Sequence, residues 1–377
     1  MKRLQFDLDY LKSSLVALLN IASPSGYSDQ IVHFVGETLE ELGVPFDVTR
    51  RGAIRATLPG QKKKSDRAIA VHLDTLGAMI SDLKPNGRLS ISPIGHWSSR
   101  FAEGTRVTVF SEKRPLRGTV LPLKASGHAY DNEIDYQPVT WEQLEIRIDE
   151  KCNDLSQLAA IGIEIGDFVA FDSTPEITEN GFINARHLDD KAGVAILLTV
   201  IKSIQEKRIK LPLECHFYFT IFEEVGLGAS SGLFSDISEM VVIDHAPLAP
   251  DQNCSEFGTT ICMKDQTGPY DYHLNKKLVT ICRDNKIEHT RDVYRYYKSD
   301  SASVIEAGND TRTALIGFGV DGSHGYERVH IDSLEATARL LYLYIQSKPT
   351  FLRDEKEIAS LEGFPHQPSR KTIQIKT

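Results

Sequence analysis

Four stretches of strand-like sequence each end in a histidine or a carboxylate, and no other feature limits the fold of this chain as tightly. Residues 68–71 run into His72 and Asp74, 213–222 into Glu223 and Glu224, 240–243 into Asp244, and 313–319 into a turn carrying His324. Apolar runs this continuous suit strands buried on both faces, as in a mostly parallel sheet covered by helices. Ligands of such sheets bind outside the carboxyl ends of the strands, so the four endings are expected to share one edge. A fifth stretch adds adjacent acids, Asp189 and Asp190, ahead of a helix pattern with apolar positions 194, 197, 198, 201 and 204. Free N–H groups at a helix start favour acids there. Taken alone, the pair reads as a capping residue beside a solvated one.

The 377 residues suffice for two domains, and 41% hydrophobic with 25% charged content is that of an ordinary globular protein. A net charge of −9 argues against nucleic acid or an anionic membrane as the principal partner. No apolar run is long enough to span a bilayer. The first residues are charged throughout and lack the apolar core of a signal peptide. The five cysteines (152, 215, 254, 262 and 282) are odd in number and show no CxxC spacing. Neither a disulfide framework nor a thiolate metal site is expected, and the expected location is the cytoplasm.

Helix patterns cover 9–21 and 28–42, the second stopped by Gly43. Residues 54–58 read as a short strand and the charged stretch 62–67 as a solvated turn. Period-2 alternation puts His72 and Asp74 on one side of their strand, with the Asp74 carboxylate as acceptor for the His72 ring. After residue 82 the composition shifts to short β-type runs at 88–92, 106–110, 117–121, 144–148 and 167–171, with a short helix near 155–160. Residues 83–174 are therefore expected to form a small β-barrel or β-sandwich inserted into an α/β domain made of 1–82 and 175–349. His96, Trp97, His128 and Tyr130 fall in the insert and are expected to pack or face solvent. A helix is expected at 274–283. A closing helix follows, with Asp332 as N-cap and Glu335 completing a capping box. Residues 350–377 read as a polar tail, frayed at 369–372.

His72, Asp189, Glu224, Asp244 and His324 thus converge on one edge, with Glu223 beside them. Imidazole and carboxylate donors without thiolate suit Zn²⁺, Co²⁺ or Mn²⁺. Five donors serve two ions when one carboxylate is shared, and Asp189 is the candidate. One ion then takes His72, Asp189 and Asp244, and the other takes Asp189, Glu224 and His324. Such a pair polarises water towards hydroxide. Glu223 is left free to accept the proton and deliver it to a leaving amine.

The motifs VHLDTLG (71–77), ARHLDDKAG (185–193), FEEVGLGA (222–229), VID (242–244) and SHG (323–325), with IGD at 165–167, occur in the order seen in the glutamyl aminopeptidase family. The chain resembles that family over nearly its whole length. Its members are dinuclear metallopeptidases that form tetrahedral aminopeptidase particles and were once also labelled endoglucanases. The resemblance implies an α/β fold, a three-layer mixed-sheet metallopeptidase domain with an inserted small β-barrel for dimerisation. It also implies a homo-oligomer in which dimers build a dodecamer. Carried onto this chain, it makes His72, Asp189, Glu224, Asp244 and His324 the ligands of two divalent ions, zinc or cobalt. Glu223 becomes the general base, and Asp74 orients His72. The chain departs from the family at Thr75, where many members have Glu, and at 323–325, where His-Ser-Pro is usual. His330 is the fallback for His324. The overall wording, including residues 93–101, is similar to a bacterial subgroup encoded with genes for the osmolyte N-acetylglutaminylglutamine amide.

Three readings follow. The first is a metallo-aminopeptidase acting on short peptides. The second is a metal-dependent amidohydrolase or deacylase acting on N-acyl amino acids or dipeptides. The third is a non-catalytic scaffold that binds an osmolyte or peptide, which the full complement of base and ligands disfavours.

Overall fold

The computed structural model describes residues 6–355, 360–365 and 367, so the stretch 369–372 and much of the polar tail lie outside the described residues. The helices Leu8–Leu19 and Asp29–Glu41 come first, then β1 (Phe46–Val48), β2 (Ile54–Leu58) and β3 (Gly60–His72). Six strands follow: β4 (Gly77–Leu83), β5 (Leu89–Ile94), β6 (Arg106–Phe110), β7 (Pro115–Pro122), β8 (Leu144–Ile148) and β9 (Phe168–Phe171). They close into a barrel in the order β4-β5-β8-β7-β6-β9. The short strands β10 (Glu176–Ile177) and β11 (Phe182–Ala185) lead into the helix Leu188–Glu206. The chain continues through β12 (Leu211–Thr220), β13 (Ile237–Pro247), β14 (Thr259–Lys264), β15 (His289–Val293), β16 (Arg312–Val320) and β17 (Glu327–His330).

The main sheet has eight strands in the order β1-β2-β12-β3-β13-β16-β14-β15. Its centre, β12-β3-β13-β16, is parallel, while β2 and β14 join it antiparallel. All four carboxyl ends of the central strands therefore open on one edge. Register aligns them closely, with His72 beside Thr220 and Asp244 beside Gly317.

Alternation along β3 explains how the sheet is covered. Ile69 and Val71 face a helical core that includes Val194, Leu197, Leu198 and Ile201 of the helix Leu188–Glu206. Ala68 and Ala70 face the opposite side, where Val304 of the helix Asp300–Glu306 packs with Tyr270 and Tyr294. The helix Leu188–Glu206 is buried on almost every side, as expected of one apolar all round. The barrel has its own core, with Val107, Val109, Val120, Ile146 and Val169 pointing inward. Trp97 packs edge-on against Trp141 and Phe171, while His128 and Tyr130 lie on the surface.

Two expectations are corrected here. The charged stretch 62–67 is the first half of β3, pairing Gly60 with Leu211 and Lys62 with Leu213. Backbone pairing holds it in the sheet while Lys62 and Lys64 stay exposed. A bulge follows, with Ser65 at φ 61°, and Arg67 enters the interior fully buried. Its Nη2 lies 2.5 Å from Glu239 Oε1, and Nη1 donates to the carbonyls of Tyr344 and Ile345 at 2.5 and 2.9 Å. A buried cation thus closes the carboxyl end of the helix Ile331–Ile345. At that helix's other end the cap is His330, whose Nδ1 accepts from the Asp332 N–H at 3.1 Å. Asp332 falls inside the first turn. Among the described residues, no helix is long and apolar enough to cross a membrane.

Candidate metal centre

His72 closes β3 at the carboxyl edge. Its Nδ1 donates to the backbone carbonyl of Asp74 at 2.9 Å, and the Asp74 carboxylate is 3.7 Å away. The carboxylate was the expected acceptor, but β3 ends at His72 and the carboxylate faces other partners. It accepts from the backbone N–H of Glu223 at 3.1 Å, from that of Glu224 at 3.3 Å, and from Ser25 Oγ at 2.5 Å. Asp74 therefore positions the short helical turn Glu223–Val225 that follows β12.

Asp189 sits at the centre. His187 adopts a left-handed φ of 68°, and Asp189 and Asp190 have non-helical dihedrals around a cis peptide bond. The regular helix begins after them. His72 Nε2 lies 3.0 Å from Asp189 Oδ1. On the other oxygen, Oδ2, stand His245 Nδ1 at 2.9 Å and His324 Nε2 at 3.3 Å. Asp190 turns away, accepting from the His72 backbone N–H at 3.2 Å. It folds over Gly193, where an added Cβ would lie 2.1 Å from its Oδ1.

His324 is held in a left-handed conformation, φ 64°, by the turn between β16 and β17. Its Nδ1 donates to the His96 carbonyl at 2.9 Å, and its Nε2 is 3.9 Å from Glu224 Oε2. His96 is exposed, as expected, and it holds this site histidine through its backbone carbonyl at the rim of a neighbouring cavity. His330, the fallback, stands apart with its Nε2 on the Asn180 carbonyl at 2.8 Å.

At this edge, among the described residues, three sets of donor atoms lie within 4.8 Å of one another: His72, Glu223 and Asp244; His72, Asp189 and Glu224; and Asp189, Asp244 and His245. The grouping differs from the expected partition, with His72 joining Asp189 and Glu224 in one set. Asp244 shares a set with His245, and His324 reaches Asp189 and Glu224 only pairwise. The structure also brings in residues the sequence reading passed over. His245 follows Asp244 directly, so period-2 alternation sends it to the other face. Asp244, however, turns back onto the His245 N–H at 2.6 Å, and its Oδ1 also lies 3.0 Å from the His245 Nδ1. Glu327, 1% exposed, accepts from the His324 N–H at 2.9 Å and the Asp189 N–H at 3.1 Å, tying two site segments together. Its signal was an acid three residues after His324. Asp300 accepts from Thr220 Oγ1 at 2.6 Å and the Ala229 N–H at 2.7 Å, beneath Glu223.

The donor chemistry suits a divalent cation. The far nitrogens of His72 and His324 face carbonyl oxygens, which accept and never donate, so those nitrogens carry hydrogen. Their near nitrogens then present lone pairs, or a second proton, to carboxylates. Burial opposes charge on His72, but hydrogen bonding to Asp189 and the charges of Glu223 and Asp189 outweigh it and raise its pKa well above 6.5. His324 behaves likewise, raised to about 9. Burial pushes Glu224 up to about 8, reinforced by the charge of Asp189. Burial also raises Glu223 well above 4.5, with Asp244 and Asp300 adding to it. A buried pocket this rich in negative charge favours bound positive charge, and its nitrogens are oriented to ligate it.

Donors gathered at the carboxyl edge of an α/β sheet are of the kind that could hold metal ions in a hydrolase. The family model for M42 glutamyl aminopeptidase matches residues 52–340, and the chain belongs to that family. It is a hydrolase acting on peptides. YhfE of Bacillus subtilis (strain 168), provisionally named an aminopeptidase, is 38% identical over 331 residues, covering 88% of this chain and 95% of its own. The glutamyl aminopeptidase of Lactococcus lactis is 25% identical over 219 residues, 56% of this chain and 59% of its own. Among solved structures, a TET aminopeptidase from a marine sediment thaumarchaeon superposes with a TM-score of 0.81 at 18% identity, covering 92% of this chain and 98% of its own. The Pyrococcus horikoshii TET1 peptidase gives 0.78 at 22% identity, with 90% and 100% covered. None of these names carries a link to the osmolyte.

Proposed function

We propose that this protein is a co-catalytic dinuclear aminopeptidase that removes N-terminal residues from short peptides. The observation that carries the reading is Asp189, whose two oxygens face histidines on opposite sides while Glu223 stays outside the shared pair. His72, Asp189, Glu224, Asp244 and His324 would hold two divalent ions, Zn²⁺ or Co²⁺. Such ions supply Lewis acidity to a scissile carbonyl and to water.

The chain's own residues supply the rest. Glu223 lies 3.9 Å from His72 Nε2 and borders a cavity of about 460 Å³. Its raised pKa suits a group that takes a proton from the attacking water and returns it to the leaving amine. Asp74 fixes the backbone of Glu223, and the turn around Gly226 (φ 77°) sets the carboxylate towards the cavity. The cavity walls include Lys298, Tyr297 and Tyr296, within the size range of sites for small ligands.

The inserted barrel is proposed to pair subunits into a homo-oligomer, dimers building a dodecamer. The similar Pyrococcus horikoshii TET1 peptidase, which can assemble into a tetrahedron or a large octahedral shell, supports this.

The test is hydrolysis of matched free-amine and N-acetylated dipeptides by the metal-loaded protein, with and without chelator. Turnover of the free-amine set, lost on chelation, is the expected result. Turnover confined to the acetylated set would overturn the aminopeptidase reading in favour of a deacylase.

A further inference from the structure

We infer that His245 is a sixth protein ligand of the centre, holding one ion together with Asp189 and Asp244, with Ser323 fixing its tautomer. The inference rests on the two-ion reading above and adds a residue to it. His245 Nδ1 lies 2.9 Å from Asp189 Oδ2 and 3.0 Å from Asp244 Oδ1. Carboxylate oxygens accept hydrogen bonds and do not donate them when ionised, so a nitrogen held between two of them needs a proton or a metal ion. The other ring nitrogen, Nε2, is 2.9 Å from Ser323 Oγ. A hydroxyl accepts an N–H as readily as a carbonyl does. With Nε2–H donated to Ser323, the Nδ1 lone pair points at the same space as the Asp189 and Asp244 oxygens. His72 and His324 follow the same rule, each spending its far N–H on a backbone carbonyl. Metal-ligating histidines are oriented by this kind of partner.

The ring has little freedom to do anything else. It is 3% exposed and packs edge-on against Tyr297, with 4.9 Å between ring centroids. Asp189, Asp244 and His245 then serve one ion, and His72, Asp189 and Glu224 the other, so each ion has a nitrogen donor apart from His324 and Asp189 remains the bridge. His324 stands 3.3 Å from the bridging oxygen and keeps its place beside Glu224.

The experiment strips the full-length protein with chelator, confirms folding of the apo forms by circular dichroism, and titrates Co²⁺ while recording visible absorption and bound metal per chain. Wild type is expected to take up two ions. His245→Ala should bind one ion tightly and the second at least ~100-fold more weakly, with a changed absorption band, since even outer partners of ligands contribute 10–100-fold. Ser323→Ala should weaken the same ion by roughly tenfold, and His330→Ala should match wild type. Two ions bound by His245→Ala with wild-type affinity and spectrum would overturn the inference. If His245→Ala does not fold, Ser323→Ala decides, and a wild-type titration there overturns it. Wild type binding fewer than two ions would instead overturn the two-ion reading beneath it.

Discussion

The carboxylate of Asp74 is bonded to the backbone of Glu223 at 3.1 Å, while the ring of His72 lies 3.7 Å from it. The residue that seemed by spacing to steer a histidine instead steers the proposed base. Asp74→Asn keeps the size but turns one acceptor into a donor facing an N–H. The expected result is a fall in kcat/KM of roughly 100-fold, the scale of a 1 Å misplacement of a reacting group, with metal content unchanged. Loss of metal in parallel with activity would return Asp74 to the role of a His72 partner.

Glu223→Gln removes the proton acceptor but keeps shape and hydrogen-bonding reach. Turnover should fall by roughly 10²–10⁴-fold, the usual contribution of a general base, with two ions still bound by elemental analysis. Activity near the wild-type level would eliminate Glu223 as the base.

Gly193 lies within a helix, where alanine is ordinarily the better residue by about 1 kcal/mol. Here an added Cβ would sit 2.1 Å from Asp190 Oδ1, on a carboxylate that holds the His72 backbone. Close packing should outweigh propensity, and Gly193→Ala should destabilise the fold by about 1–3 kcal/mol in denaturant unfolding. A stability gain would mean that Asp190 is free to move aside.

The carboxyl-edge argument reached His72, Asp189, Glu224, Asp244 and His324 because strand endings and helix starts are local features, visible as apolar runs meeting polar residues. The structure sets all five on one edge, with β3, β12, β13 and β16 side by side. What stayed hidden depends on direction and on distant partners. His245 was passed over because it adjoins Asp244, and strict alternation would set the two on opposite faces of β13. Glu327 joins His324 to Asp189, which lies 138 residues before Glu327 in sequence, a link that no periodicity encodes. The lysines of β3 read as a turn because strand patterns are recognised by apolar side chains, whereas backbone pairing at the sheet's amino end needs none. His330 displaced Asp332 as the cap because an imidazole nitrogen can accept the N–H that a capping carboxylate usually takes.

Glu239 offers a prediction about stability separate from the candidate centre. Burial opposes its charge, but the adjacent charges of Arg67 and Lys277 prevail and hold its pKa at about 2, below the ordinary 4.5. A depressed folded-state pKa means the stabilisation is complete above about 4.5 and is lost as pH falls towards 2. The shift corresponds to about 3 kcal/mol at neutral pH, of which about 2 should be gone by pH 3. Glu239→Gln leaves Arg67 buried without its counterion and should destabilise the fold at pH 7 by about 3–5 kcal/mol. Denaturant unfolding of both proteins from pH 7 to pH 3 should show the gap between them narrowing with acid. A gap that stays constant over that range would mean that the Arg67–Glu239 pair does not set the Glu239 proton affinity, and that the helix end at Tyr344 and Ile345 is held by the Arg67 hydrogen bonds alone.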